Sequence, residues 1–142
     1  MSRRYKYLNR DLLIATAILH DIGKIYELSE LPDNEYTDDG QMIGHIVIGA
    51  EMVTAAAAKI ENFPHELQSL IKHSIVAHHG EFEFGSPKLP NTMEAFILHC
   101  ADNMDAKAKA MEETIEQDKT SESSWTGYHK LLNRYIYKPK WE

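Results

Sequence analysis

The sequence predicts an all-α protein, a helical bundle with one small β-hairpin excursion near residues 25–37, and three observations carry that prediction. Apolar residues recur at three-to-four spacing through separate stretches of the chain, the period of a helix with one face on a core. Each stretch is bounded by Gly, Pro, Asn or Asp, the residues that stop helices and make turns. Only around 25–28 and 35–37 do apolar and polar residues alternate, on either side of a turn-like Leu31, Pro32, Asp33 and Asn34.

The first helix follows Asn9, which can cap it, with Asp11 placed favourably against the helix dipole. It covers LLIATAIL and is expected to reach about Ile22, with Gly23 as a left-handed stop. After the excursion, Asp38, Asp39 and Gly40 make a turn. A second helix should begin near Gln41 or Met42, carry Ile43, Ile46, Ile48, Met52 and Val53, and end near Asn62 and Pro64. A third fits residues 64–79, with Leu67, Leu70, Ile71 and Ile75 on one face and Gly80 as its end. The turn-rich segment EFEFGSPKLP (81–90) is a loop lying near whatever site His78 and His79 serve.

Asn91 or Thr92 then caps a fourth helix whose face is Met93, Phe96, Ile97, Cys100 and Met104, extending to about Ile115. The polar, serine-rich residues 117–124 form a connector. From Trp125 the spacing of Tyr128, Leu131, Leu132, Tyr135 and Ile136 predicts a short C-terminal amphipathic helix, followed by a basic aromatic tail to residue 142. No segment repeats another.

A chain of 142 residues with 43% apolar and 26% charged composition suits a single soluble domain. At that length roughly 70% of the unfolded surface can be buried. No apolar run approaches a membrane span and no signal peptide precedes the first helix, so a membrane partner is excluded and a cytoplasmic location is expected. The single Cys100 lies in an apolar segment, which excludes a disulfide framework and suggests a buried thiol. The net charge of −7 is unevenly spread: residues 1–10 carry +4 and residues 125–142 carry +3, leaving −14 between them. An acidic body with basic margins suits a cation-binding centre that attracts phosphates, although solvated chain ends read equally well.

The chemistry concentrates at the ends of the apolar stretches. His20 and Asp21 close the first, His45 opens the second, His78 and His79 close the third, and Asp102 lies in the fourth. A buried carboxylate needs a partner, and a metal ion satisfies a carboxylate and an imidazole together. Imidazole and carboxylate donors suit Mn, Fe, Co, Ni or Zn, while a lone cysteine excludes a thiolate zinc site. Two ions become feasible where one carboxylate bridges, an arrangement suited to in-line phosphoryl displacement. Taken singly, each residue has a plainer reading. His45 can be a helix-start histidine, His78 and His79 a dipole-favoured helix end, and Asp102 a partner of Lys72 or Lys107.

The order H-D-x-G-K at 20–24, Gly44–His45, H-H-G-E at 78–81 and A-D-N-x-D-A-K at 101–107 resembles the HD-domain metal-dependent phosphohydrolases. Within them it looks most like the HD domain of the YhaM-type 3′-to-5′ exoribonucleases, over roughly residues 8–138. The resemblance implies an HD-type all-helical fold with a centre of one or two divalent metal ions, usually Mn²⁺. Residue by residue, it implies that Asp21 bridges, that His20 and Asp102 bind one ion, and that His45, His78 and His79 bind the other. Lys24 would hold a phosphate oxygen as part of the catalytic machinery with Asp21. The implied reaction is phosphodiester hydrolysis at the 3′ ends of single-stranded RNA. A nucleotide or cyclic-nucleotide phosphohydrolase is the alternative enzyme, and a catalytically disabled, metal-stabilised interaction module the alternative without chemistry.

The family pattern includes a further histidine upstream of the H-D pair and, in the YhaM type, an N-terminal OB-fold; neither is found here. The expectation is a piece of a longer polypeptide rather than a reduced version with a weakened first metal site, and apolar area left open on the first helix implies a homo-oligomer or a rearranged terminus. Glu81 and Asp105 are candidate acceptors for the far ring nitrogens of the ligand histidines, or ordinary surface acids. Lys24 could equally interact with helix-end carbonyls. His73 and His99 read as structural, and His65 and His129 carry no signal. The rings of Tyr128, Tyr135, Tyr137 and Trp141 among Lys130, Arg134, Lys138 and Lys140 could stack bases, but packing of the rings on a core with the lysines in water is favoured.

Overall fold

Asn9 starts the first helix as its chemistry predicts: its side-chain oxygen accepts the backbone N–H groups of Asp11 and Leu12, both at 3.1 Å. A computed structural model describes residues 4–140. The helices are α1 (Arg10–Leu19), α2 (Lys24–Glu27), α3 (Asp38–Met42), α4 (His45–Ala57), α5 (His65–Ala77) and α6 (Met93–Gln117), with a 3₁₀ turn at Phe82–Phe84. Among the described residues no helix is long and apolar enough to cross a membrane. The chain divides into two compact units, Met1–Cys100 and Ala101–Glu142.

In the first unit α5 packs against α1 and α4, and α2 packs against α3 and α4. Leu12, Val53, Ile71 and Ile75 form the buried centre, with Leu19, Phe63, Leu67 and Leu70 around it. Apart from Phe63, these lie in the apolar runs read from the sequence, so the hydrophobic pattern located most of this core. The start of α6 is tied to the start of α1, because the buried Glu94 carboxylate accepts the Asn9 backbone N–H at 2.6 Å. Thr92 rather than Asn91 supplies the α6 cap, accepting the Ala95 N–H at 3.2 Å.

Tertiary packing corrects several local expectations. Helix α1 stops at Leu19, not near Ile22, and Gly23 has φ −62°, so it is not a left-handed stop. Its lack of a side chain serves close packing instead: a Cβ there would lie 2.0 Å from the His45 carbonyl oxygen. The expected second helix is two, α3 and α4, because Gly44 sits between them at φ +79°, a conformation that breaks a helix. Residues 25–27 belong to α2, and the excursion is closed by one antiparallel bridge, Leu28 to Tyr36, with no strand among the described residues. Ser29 N–H to the Glu35 carbonyl at 2.7 Å and Glu35 N–H to the Ser29 hydroxyl at 2.9 Å hold its neck.

The α6 face is rotated from the expected one. Glu94, Ala95 and Leu98 are buried, whereas Phe96 and Met104 are exposed and so is Cys100, which is not the buried thiol its neighbours suggested. Two residues of helix turn Cys100 well away from the face of Leu98.

In the second unit the residues expected as a C-terminal helix form an antiparallel excursion. Trp125 pairs with Tyr137 and His129 with Arg134, and Asn133 takes φ +53° in the turn between them. Leu131, an expected core position, is exposed, while Leu132 and Ile136 are buried. Tyrosine, tryptophan and β-branched residues favour extended pairing, which outweighs the helical spacing here. Lys138 is buried, donating to the Asp118 and Ser121 carbonyls at 2.7 and 3.1 Å, with the Asp118 carboxylate at 3.3 Å. Trp141 lies outside the described residues.

Candidate metal centre

Each predicted histidine of the first unit stands where a helix begins or ends, and backbone chemistry aims each ring. His20 follows α1 and its Nδ1 lies 2.9 Å from the Ala17 carbonyl oxygen. His78 caps α5 with Nδ1 2.6 Å from the Ile75 carbonyl, and His79 has Nδ1 2.9 Å from the Phe84 carbonyl. The loop after α5 therefore does serve the site, through its backbone. At the start of α4, His45 has Nδ1 2.9 Å from the Glu27 carboxylate, which also accepts the His45 backbone N–H at 2.8 Å. With Nδ1 of His45, His78 and His79 engaged as a donor, their Nε2 atoms are left as lone-pair donors, the arrangement that ligand histidines need.

Those rings converge. The centroids of His78 lie 5.1 Å from His20, 5.5 Å from His45 and 4.3 Å from His79, and His45 and His79 are 5.3 Å apart. One ligand atom each from His45, His78 and His79 falls within a 4.8 Å span. Asp21 stands beside them: its Oδ1 is 3.6 Å from His45 Nε2 and 3.7 Å from His78 Nε2. Its Oδ2 accepts from Lys24 Nζ at 2.7 Å and lies 3.4 Å from His20 Nε2.

The spacing identifies what fits between these groups. Distances of 3.6 and 3.7 Å are too long for hydrogen bonds. They are close to the separation of about 3.4 Å between donors placed about 2.1 Å from one tetrahedral cation. Asp21 Oδ1 and His45 Nε2 are also the buried side-chain atoms without a hydrogen-bond partner among the described residues. Two orphaned buried polar atoms facing each other are costly unless a third group satisfies both, and a divalent metal ion does so.

The electrostatics agree with a ligand role. Burial raises the Asp21 carboxyl pKa, but hydrogen bonds and charge from His20 and Lys24 outweigh it and hold the group well below the usual carboxylate range. Burial pushes the His78 imidazole down to about 4, so it is neutral at pH 7. Burial also opposes ionisation of Glu27, yet its bonds to His45 leave its pKa lowered.

The structure thus brings together His20, Asp21, Lys24, His45, His78 and His79. Asp102 and Asp105 belong to the second unit, Asp102 half-buried and Asp105 exposed. Glu81 is exposed, and the acceptor role expected of it at the ligand histidines is filled by Glu27 and by backbone carbonyls. Glu27 escaped the sequence reading because its stretch looked extended. The available signal was that it is the lone acid between Asp21 and Glu30, embedded among apolar residues. His73 is structural as expected, accepting the Asn91 N–H on Nε2 at 2.9 Å. His99 has its Nδ1 2.9 Å from the His78 carbonyl, outside the converging set.

A helical scaffold that gathers an H-D pair and three further histidines defines the HD class, and the HD domain profile matches residues 1–107; the chain belongs to the HD domain family. HD domains bind divalent metals. Among characterised proteins, the chain is similar to the 3′-5′ exoribonuclease YhaM of Shouchella clausii and to that of Bacillus subtilis. Each is 42% identical over 135 residues, covering 95% of this chain and 42% of the relative. It is similar as well to the YhaM of Listeria welshimeri, 42% identical over 142 residues, covering 100% of this chain and 45% of the relative. The chain spans about two fifths of the length of these relatives. No solved structure matches it.

Proposed function

We propose that this HD domain is the catalytic module of a metal-dependent phosphodiester hydrolase that removes nucleotides from the 3′ ends of single-stranded RNA in the cytoplasm. The observation that supports it most is the pair of buried, unpartnered atoms, Asp21 Oδ1 and His45 Nε2, 3.6 Å apart beside two more histidines. The RNA substrate is taken from the relatives, which are 3′-5′ exoribonucleases.

Asp21, His45, His78 and His79 would hold one divalent ion, and His20 would serve a second ion beside Asp21; Mn²⁺ is the ion we assign. Such ions, when bound, supply an activated water and neutralise charge on a phosphate. The chain's own residues do the rest. Glu27 keeps His45 in the tautomer that leaves Nε2 bare, and the Ile75 and Phe84 carbonyls do the same for His78 and His79. Lys24 clamps Asp21 Oδ2, turning Oδ1 toward the imidazoles, and its ammonium retains further donors for a phosphate oxygen. The exposed apolar side chains of Ile14 and Ile18 on α1, and an apolar groove of about 330 Å³ lined by Leu19, Ile22, Met52, Ile60 and Phe63, support association into a homo-oligomer.

The test is metal content per chain, followed by hydrolysis of a generic phosphodiester and of single-stranded RNA with and without Mn²⁺. Metal-dependent turnover of both substrates is expected. Turnover of nucleotides alone would select a nucleotide phosphohydrolase, and metal without turnover would select an interaction module.

A further inference from the structure

The antiparallel excursion of the second unit, closed by two isolated bridges, wears its aromatic rings on the outside. Tyr135 and Tyr137 flank the buried Ile136, so in an extended strand both project to the opposite, solvent-facing side. Across the excursion their ring partners are Tyr128 and Trp125: Trp125 meets Tyr137 edge-on at 5.3 Å, and Tyr128 meets Tyr135 edge-on at 5.2 Å. All four rings remain 50–61% exposed, while the inward positions Thr126, Leu132 and Ile136 are buried. The ordinary arrangement, with rings inward and small polar residues outward, is reversed.

These rings are held rather than loose. The Thr126 N–H donates to the Ile136 carbonyl at 2.9 Å and the Ile136 N–H donates to the Thr126 hydroxyl at 3.1 Å, pinning the two extended segments beneath them. The Tyr128 hydroxyl donates to the Asn133 side chain. In each edge-to-face pair one ring covers a face of the other, yet all four residues keep at least half of their surface exposed. Lys138 is drawn inward, but Lys130, Arg134 and Lys140 are exposed on the same short segment. Residues 125–142 carry +3 in a chain whose total is −7.

We infer that this aromatic, basic face is a binding surface for single-stranded RNA, on which bases stack against the Trp125, Tyr128, Tyr135 and Tyr137 rings while Lys130, Arg134 and Lys140 neutralise phosphates. Stacking platforms interleaved with cations are how unpaired nucleic acid is held without sequence preference. A protein partner would be served by the rings alone; the local excess of cations on an acidic chain favours a polyanion. The choice of RNA rests on the proposed function.

The experiment is fluorescence anisotropy of a labelled oligoadenylate added to the full chain in EDTA, so that no hydrolysis is needed to see binding. Binding is expected to weaken with salt at a log–log slope of about −2, for about three neutralised phosphates on a single strand. The double variant Tyr128→Ala/Tyr135→Ala should lose about tenfold or more in affinity, and Tyr128→Phe/Tyr135→Phe, which keeps the rings, should bind within about threefold of the parent. Circular dichroism establishes that the variants fold. No binding by the parent chain, equal binding of a duplex, or undiminished binding by a folded double-alanine variant overturns the inference. Self-association lost in the double-alanine variant, without oligonucleotide binding, overturns it too and gives the rings to a second copy of the chain. Failure of the metal centre shows separately, as absence of Mn²⁺-dependent hydrolysis of a small phosphodiester by the parent while oligoadenylate binding persists.

Discussion

The Glu27 carboxylate receives both the backbone N–H and the ring Nδ1–H of His45, at 2.8 and 2.9 Å, from a buried position on a different helix. One acid thereby satisfies the exposed amide at the start of α4 and sets the tautomer of a candidate ligand.

Replacing it therefore has two separable effects. Glu27→Leu should weaken Mn²⁺ binding about 10- to 100-fold, read by titration calorimetry. It should also lower unfolding free energy by about 2 kcal/mol in denaturant titrations of the metal-free chain, since a charge-assisted bond is lost and the His45 amide is left unpaired. Unchanged metal affinity would remove Glu27 from the centre.

Metal binding should stabilise the fold through Asp21. An ion present at about 100 times its dissociation constant adds about 2.7 kcal/mol. Mn²⁺ should accordingly raise the thermal midpoint of the parent chain and leave that of Asp21→Ala unmoved, as judged by differential scanning calorimetry. An Asp21→Ala protein that keeps both the shift and the hydrolysis would place the centre elsewhere.

The depressed pKa of His78 makes stability depend on pH. Its imidazole falls from 6.5 to about 4 on folding, so between those values the unfolded chain binds more protons and stability rises with pH. The contribution, about 3 kcal/mol, is complete above pH 6.5 and is lost as pH falls toward 4. Asp21, lowered on folding, adds a loss of the same sign at more acidic pH. Urea midpoints measured between pH 4 and 7.5 check this, and His78→Asn should flatten the curve.

Gly23 is predicted to be intolerant of any side chain. The Cβ of Gly23→Ala would sit 2.0 Å from the His45 carbonyl oxygen and 2.8 Å from the Gly49 amide nitrogen, both backbone atoms that no rotamer change can move. A loss of about 3 kcal/mol is expected, seen as a lowered thermal midpoint together with weaker Mn²⁺ binding, because the H-D turn must shift. A midpoint equal to the parent's would contradict the close approach.

Ile18→Lys, on the exposed face of α1, should shift light-scattering mass toward the monomer without altering the circular dichroism spectrum. A parent chain already monomeric at micromolar concentration would dismiss the association.

The sequence by itself determined the main helices of the first unit and the family. Capping by Asn9 and the apolar periods of α1, α4 and α5 act through contacts within one or two turns, so they are readable in the sequence. The order of histidines and aspartates was legible for the same reason, and five of the six predicted ligands lie in the first unit, where His20, Asp21, His45, His78 and His79 come together. Only the tertiary structure decided that Glu27 meets a ring eighteen positions away, that Gly23 is small because another backbone passes it, and that the residues after Trp125 fold back on themselves with their rings outward. The physical reason is that these outcomes depend on which surfaces touch after the helices pack, and contacts between distant segments leave no period in the local sequence.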